Sequence, residues 1–156
     1  MDIIKHGGDP QVGNLATPVN ASGLSLAYVR NLPAYRKGLS ANRRGLEIGM
    51  AHGYFLYGPF AWLGPLRQTS YGSTAGFLAA IGLVSILTIA LSLYGSVGVD
   101  QPISTLTIPD PPQDWETETG WAEFANGFLI GGCGGALCAY LLCQIPYIDL
   151  VNKFLG

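Results

Sequence analysis

Glu47 and His52 are the two side chains whose types and setting could do chemistry, because both stand in the mostly apolar run Gly45 to Leu66, GLEIGMAHGYFLYGPFAWLGPL. A run of this length can cross a bilayer as a helix, and an ionisable group inside such a helix costs several kcal/mol to bury, so it marks a functional position. At about 1.5 Å of rise per residue, His52 lies roughly 10 Å past the start of the run, too deep for its side chain to reach the surface. The two residues are five apart, which rotates one about 140° from the other. A single metal ion favours ligands three or four apart on one helix face, so the pair predicts two separate partners rather than one shared ion. A neutral imidazole or a carboxylate can each serve as the single axial ligand of a metal in a flat macrocycle, a role that needs one donor and an apolar slot. Gly45, Gly49 and Gly53, spaced by four, form a stripe without side chains against which a planar ring or a second helix can lie. A competing reading needs no ligand: Arg43 and Arg44 stand four and three residues before Glu47 and can pair with it, while His52 can hydrogen-bond a neighbouring helix.

The elements that hold these residues follow from composition. The chain has 156 residues, 49% hydrophobic and only 12% charged, about half the charge of an ordinary soluble domain. That composition predicts a small all-α membrane protein with three transmembrane helices and an extended polar N-terminal arm. A net charge of −2 gives no basic stripe for nucleic acid. No nucleophile–base arrangement, phosphate-binding glycine loop or metal cluster points to an enzyme. A proton or ion pathway would need a chain of titratable groups across the bilayer, and beyond Glu47 and His52 the spans supply none. Cys133, Cys138 and Cys143 recur every five residues, a spacing that reads as buried reduced thiols rather than a metal or redox site. The first forty-odd residues have no signal-peptide pattern, so the spans themselves are expected to direct insertion.

Residues 1–44 are broken by Gly7, Gly8, Pro10, Gly13, Pro18, Gly23 and Pro33 and read as the arm, with a short surface helix over Leu24 to Leu32 capped by Asn20 or Ser22. Arg36, Lys37, Arg43 and Arg44 precede the first span, 45–66, and place this end on the cytoplasmic side. Pro59 and Pro65 predict a kinked or ending helix around Phe60 and Trp62. After a turn at Arg67 to Thr74, the second span covers 75–94, and its Ser85, Thr88 and Ser92 are expected to bond back to their own helix. Residues 96–120 carry five acids and no Lys or Arg around IPDPPQDW, the pattern of an exposed, semi-rigid loop. The third span covers 124–143, with Trp121 as interface anchor and Gly127, Gly131, Gly135 and Ala139 as a smooth packing stripe. The tail 144–156 falls on the non-cytoplasmic side.

The segments GDPQVGNLATPVN from Gly8, NLPAYRKGLS from Asn31, RRGLEIGMAHGYFLYGPF from Arg43, LGPLR from Leu63 and EFANGFLIGGCGGALCAY from Glu123 resemble PsaL, the photosystem I reaction-centre subunit XI family, in its cyanobacterial form. The resemblance implies a multi-pass subunit of the cyanobacterial thylakoid membrane with a stromal-side arm and a lumenal tail. It implies binding of chlorophyll a, or another chlorophyll variant, and beta-carotene. It also implies transfer of excitation toward the core and contact with photosystem I core subunits, neighbouring small subunits, lipids and copies of itself in adjacent monomers. The family's axial chlorophyll ligands match Glu47 and His52. Where relatives carry an acid after Pro-Leu-Arg, this chain has Gln68, a poorer ligand for a hard cation, so calcium is not expected. The proline-bearing loop is longer than in trimer-forming versions and leaves three or four copies per assembly open.

Overall fold

The computed structural model of the chain describes residues 5–6, 13–98, 100 and 102–145. The expected tail lies outside the described residues apart from Gln144 and Ile145, as does most of the arm before Gly13. The architecture is helical: α1 (Pro18–Ala21), α2 (Gly23–Asn31), α3 (Ala41–Leu63), α4 (Gly72–Ser96) and α5 (Glu118–Gln144), with a 3-10 turn at Gln113–Glu116. A two-residue antiparallel ladder joins β1 (Lys5–His6) to β2 (Leu15–Ala16). In α2, Ser22 is the cap, accepting from the Ser25 N–H at 3.2 Å.

Two helices, α4 and α5, are long and apolar enough to cross a membrane. The third helix, α3, has 23 residues, but Asn42, Arg43, Arg44 and Glu47 crowd its first two turns and shorten its apolar stretch. Local caps move the helix starts ahead of the apolar runs. The Ser40 hydroxyl accepts from the Arg43 N–H, starting α3 at Ala41 rather than Gly45, and Thr117 accepts from the Gly120 N–H, starting α5 at Glu118 rather than Phe124. Trp121 thus lies in the first turn of α5. Pro59 is likewise inside α3, and the helix continues to Leu63 before Gly64 and Pro65 end it. As their spacing predicts, Ser85, Thr88 and Ser92 each donate to the carbonyl four residues back, at 2.9, 2.8 and 3.0 Å.

The three long helices run up, down and up. Glycines make the α3–α5 seam: a Cβ on Gly45 would reach to 2.9 Å from the Phe128 nitrogen, and one on Gly49 to 2.9 Å from the Gly132 nitrogen. From the other side, one on Gly131 would stand 2.9 Å from the Met50 nitrogen, and one on Gly135 the same distance from that of Tyr54. Residue numbers rise together along both helices, so they are parallel and in backbone contact. Antiparallel α4 fills the remaining side, with Val84 fully buried beside Phe124 and Phe128, Tyr57 hydroxyl bonded to Ser73 at 2.7 Å, and Phe77 stacked on Tyr140 at 5.0 Å. Of the two occupants that the Gly45, Gly49, Gly53 stripe allows, a second helix is the one present, α5, and not a planar ring, while the packing stripe of α5 is answered by α3 within the chain. Nor are the thiols all buried, since Cys133 is half-buried while Cys138 and Cys143 are exposed on α5.

The acidic loop is docked rather than free. Arg30 Nε donates to the Thr107 carbonyl at 3.3 Å, Asn14 accepts from the Leu106 N–H at 3.0 Å, and Lys37 stands 3.5 Å from Asp110. Trp115 packs on Trp121 and Phe124, each at 4.8 Å between ring centroids. Arg44 holds this end together. Only 3% exposed, its Nη1 donates to the carbonyls of Pro33 and Arg36, both at 2.8 Å, and its Nε stands 3.7 Å from Asp114. Hydrogen bonds from a charged donor contribute about 1.5–3 kcal/mol each. Arg44→Met should therefore loosen arm and loop together by about 3 kcal/mol, roughly a hundredfold in the opened fraction. Limited proteolysis at Arg36 and Lys37 checks this, and unchanged cleavage rates would contradict it.

Candidate axial-ligand sites on α3

His52 sits in the middle of α3, half-buried, between the rings of Phe55 at 5.4 Å and Phe128 at 5.5 Å. Its Nδ1 is 2.8 Å from the Ile48 carbonyl, one helical turn back. A carbonyl can only accept, so Nδ1 carries the hydrogen, and in the neutral tautomer of that kind the lone pair is on Nε2. That is the tautomer a metal ligand needs, with the second ring nitrogen oriented by a hydrogen bond. Among the described residues no hydrogen bond to Nε2 is found. The polar demand of His52 is thus satisfied at one nitrogen by its own helix.

Glu47 has a different surrounding. Both of its oxygens lie 2.5 Å from Arg36 Nη2, and Oε1 lies 3.4 Å from Arg43 Nε. Arg44, which sequence spacing also offered as a partner, turns away into the interface with the arm and loop and does not pair with Glu47. The carboxylate side chain is 25% exposed. It borders a shallow apolar cavity of about 390 Å³ that Met50, Ala51 and Tyr54 of α3 share with Gly134, Gly135 and Cys138 of α5. A carboxylate offers about four lone-pair directions, and the two arginines leave some unused. His52 beside Phe128 and Glu47 on the flank that borders Gly134 could each offer one donor to a metal, and they stand as two separate positions. Gln68 is exposed in the turn before α4.

Sequence reasoning missed Arg36, the Phe128 ring and the groove residues Gly134 and Cys138. Arg36 is in the connection before α3, outside any helical spacing rule, and the α5 residues reach Glu47 and His52 only through the parallel seam.

Residues 2–148 match the family described as Photosystem I reaction centre subunit XI, PsaL. A relative named Photosystem I reaction center subunit XI from Crocosphaera subtropica is 71% identical over 156 residues, covering 100% of each chain. One of that name from Picosynechococcus is 70% identical over 143 residues, 92% of this chain and 94% of its own. Another, from Synechococcus elongatus, is 55% identical over 155 residues, 98% and 93% of the two chains. Since the match spans the arm, all three long helices and the loop between α4 and α5, the chain belongs to the photosystem I reaction centre subunit XI family.

Proposed function

We propose that this photosystem I subunit is a chlorophyll- and carotenoid-binding accessory subunit that spans the thylakoid membrane three times and mediates contact between reaction-centre monomers. The observation that supports the pigment reading is that His52 Nδ1 is fixed on the Ile48 carbonyl while Nε2 has no hydrogen bond among the described residues. Bound at such a nitrogen, a chlorophyll would absorb light and pass excitation to neighbouring pigments. The chain's own part is to present one donor at a fixed angle in a water-poor setting. Glu47 offers the second position.

Three spans are supported by the seam. Because α3 lies in backbone contact with α5 from Gly45 to Gly53, a membrane that α5 crosses surrounds α3 as well, with its charged first turns at the interface beside the docked loop. Six basic residues before that run, against Arg67 and Lys153 elsewhere, support a stromal-side arm and 96–120 loop. The outer face of α4 exposes Leu78, Ile86, Ile89 and Leu93, each about 60%. It suits lipid chains, beta-carotene or an apolar neighbour. A purely structural adaptor without pigment is the second reading, and the ion pairs of Glu47 favour it at that one residue.

Deleting the subunit from cells should convert photosystem I oligomers into monomers that still perform photochemistry. Sucrose-gradient sedimentation of the solubilised complex measures this. Intact oligomers after deletion would end the assembly role and leave only the pigment role.

A further inference from the structure

We propose that Arg36 is a positioning residue that orients and charge-balances Glu47 for a chlorophyll seated in the groove beside Gly134, an inference that rests on the pigment reading of Glu47. A glutamate has three side-chain torsions, and a ligand to a metal must point one way. Arg36 supplies that constraint from outside the helix: its Nη2 is 2.5 Å from each carboxylate oxygen, while its Nη1 reaches the Asn31 carbonyl at 3.4 Å at the end of α2. The Arg36 backbone is itself held, since its carbonyl accepts from Arg44 at 2.8 Å. Arg43 is the weaker partner, 3.4 Å away and 67% exposed against 35% for Arg36.

Charge argues the same way. A carboxylate on the magnesium of a neutral macrocycle leaves one net negative charge beside a groove whose other walls are Met50, Ala51, Tyr54, Gly134 and Cys138. Uncompensated charge in such surroundings is expensive, and a guanidinium on the carboxylate offsets it. The groove also has room at its floor, since a Cβ on Gly134 would meet nothing within 4 Å.

The test uses the assembled complex carrying Arg36→Leu, Arg36→Lys, Glu47→Ala or His52→Leu, read by chlorophyll count per complex and low-temperature absorption difference spectra. Arg36→Leu should lose the same single chlorophyll that Glu47→Ala loses. Arg36→Lys keeps the charge but loses the second nitrogen that reaches the Asn31 carbonyl and fixes the side chain, so its effect should be confined to that same chlorophyll, as a shifted red band or its loss. An Arg36→Leu complex with full pigment count and an unchanged spectrum would overturn the inference, as would losses that extend to the chlorophyll absent in His52→Leu. If Arg36→Leu fails to assemble, the Arg36→Lys spectrum decides, and an unshifted one overturns the inference. Full pigment in Glu47→Ala would instead remove the pigment reading of Glu47 itself.

Discussion

Replacing His52 with leucine is expected to remove one chlorophyll per subunit while the helical bundle stays folded. The imidazole makes one hydrogen bond, to the Ile48 carbonyl, which remains an acceptor within α3 after the substitution, so no buried polar group is orphaned. Leucine is apolar, of similar size, and can occupy the space between Phe55 and Phe128, which limits the packing cost to under about 1.5 kcal/mol. What leucine cannot do is coordinate a metal. The predicted signature is therefore a stoichiometric change, one chlorophyll fewer on pigment extraction, with normal accumulation of the subunit. Loss of the whole subunit from the complex would point instead to a structural histidine.

Gly131→Leu and Gly135→Leu should have the largest effect on folding. A Cβ at Gly131 already falls 2.9 Å from both the Leu46 carbonyl carbon and the Met50 nitrogen, and one at Gly135 falls equally close to Met50 and Tyr54. These are backbone atoms of a second helix, which cannot rotate aside as a side chain would. Overpacking costs about 1–3 kcal/mol where side chains can adjust, so the cost here should be at least about 3 kcal/mol, and α3 and α5 should separate. Leu83→Ala, at a half-buried position of α4, should cost about 1 kcal/mol, because in lipid only the lost van der Waals contact counts. Gly82→Leu is the sharper control, a helical glycine of α4 with open space at its Cβ. The temperature at which the subunit is released from the complex should fall strongly for the first two and little for the controls.

The residues that were legible in the sequence are those governed by local rules. His52 was found because a titratable group in an apolar run is costly wherever the run packs, and Ser85, Thr88 and Ser92 because their acceptors lie four residues away in the same helix. The cap of α2 at Ser22 was local in the same sense. Helix starts were set too late because the runs were measured by hydropathy, whereas Ser40 and Thr117 begin the helices in polar sequence. The docking of arm and loop was hidden for another reason: Arg30 and Thr107, or Arg44 and Asp114, are some seventy residues apart, and no periodicity connects them. The glycine stripes were visible but their partner was not. Spacing by four says that something approaches closely, and only the three-dimensional seam shows that each stripe is answered by the other.

Glu47 illustrates the limit most clearly. Its spacing to Arg43 foretold one ion pair, yet the dominant partner is Arg36, and Arg44 goes elsewhere. The ion pairs are what the structure shows for this carboxylate, and the absorption differences of the Arg36 variants test the proposed ligand role beside them.

The central claim, that α3 presents an axial ligand to a chlorophyll, is tested most directly by a density map of the intact photosystem I complex at a resolution that separates His52 from its surroundings. The account predicts a flat macrocycle whose central magnesium joins His52 Nε2, with Nδ1 still on the Ile48 carbonyl. A map in which Nε2 bonds only to protein or water, with no macrocycle against it, would contradict it.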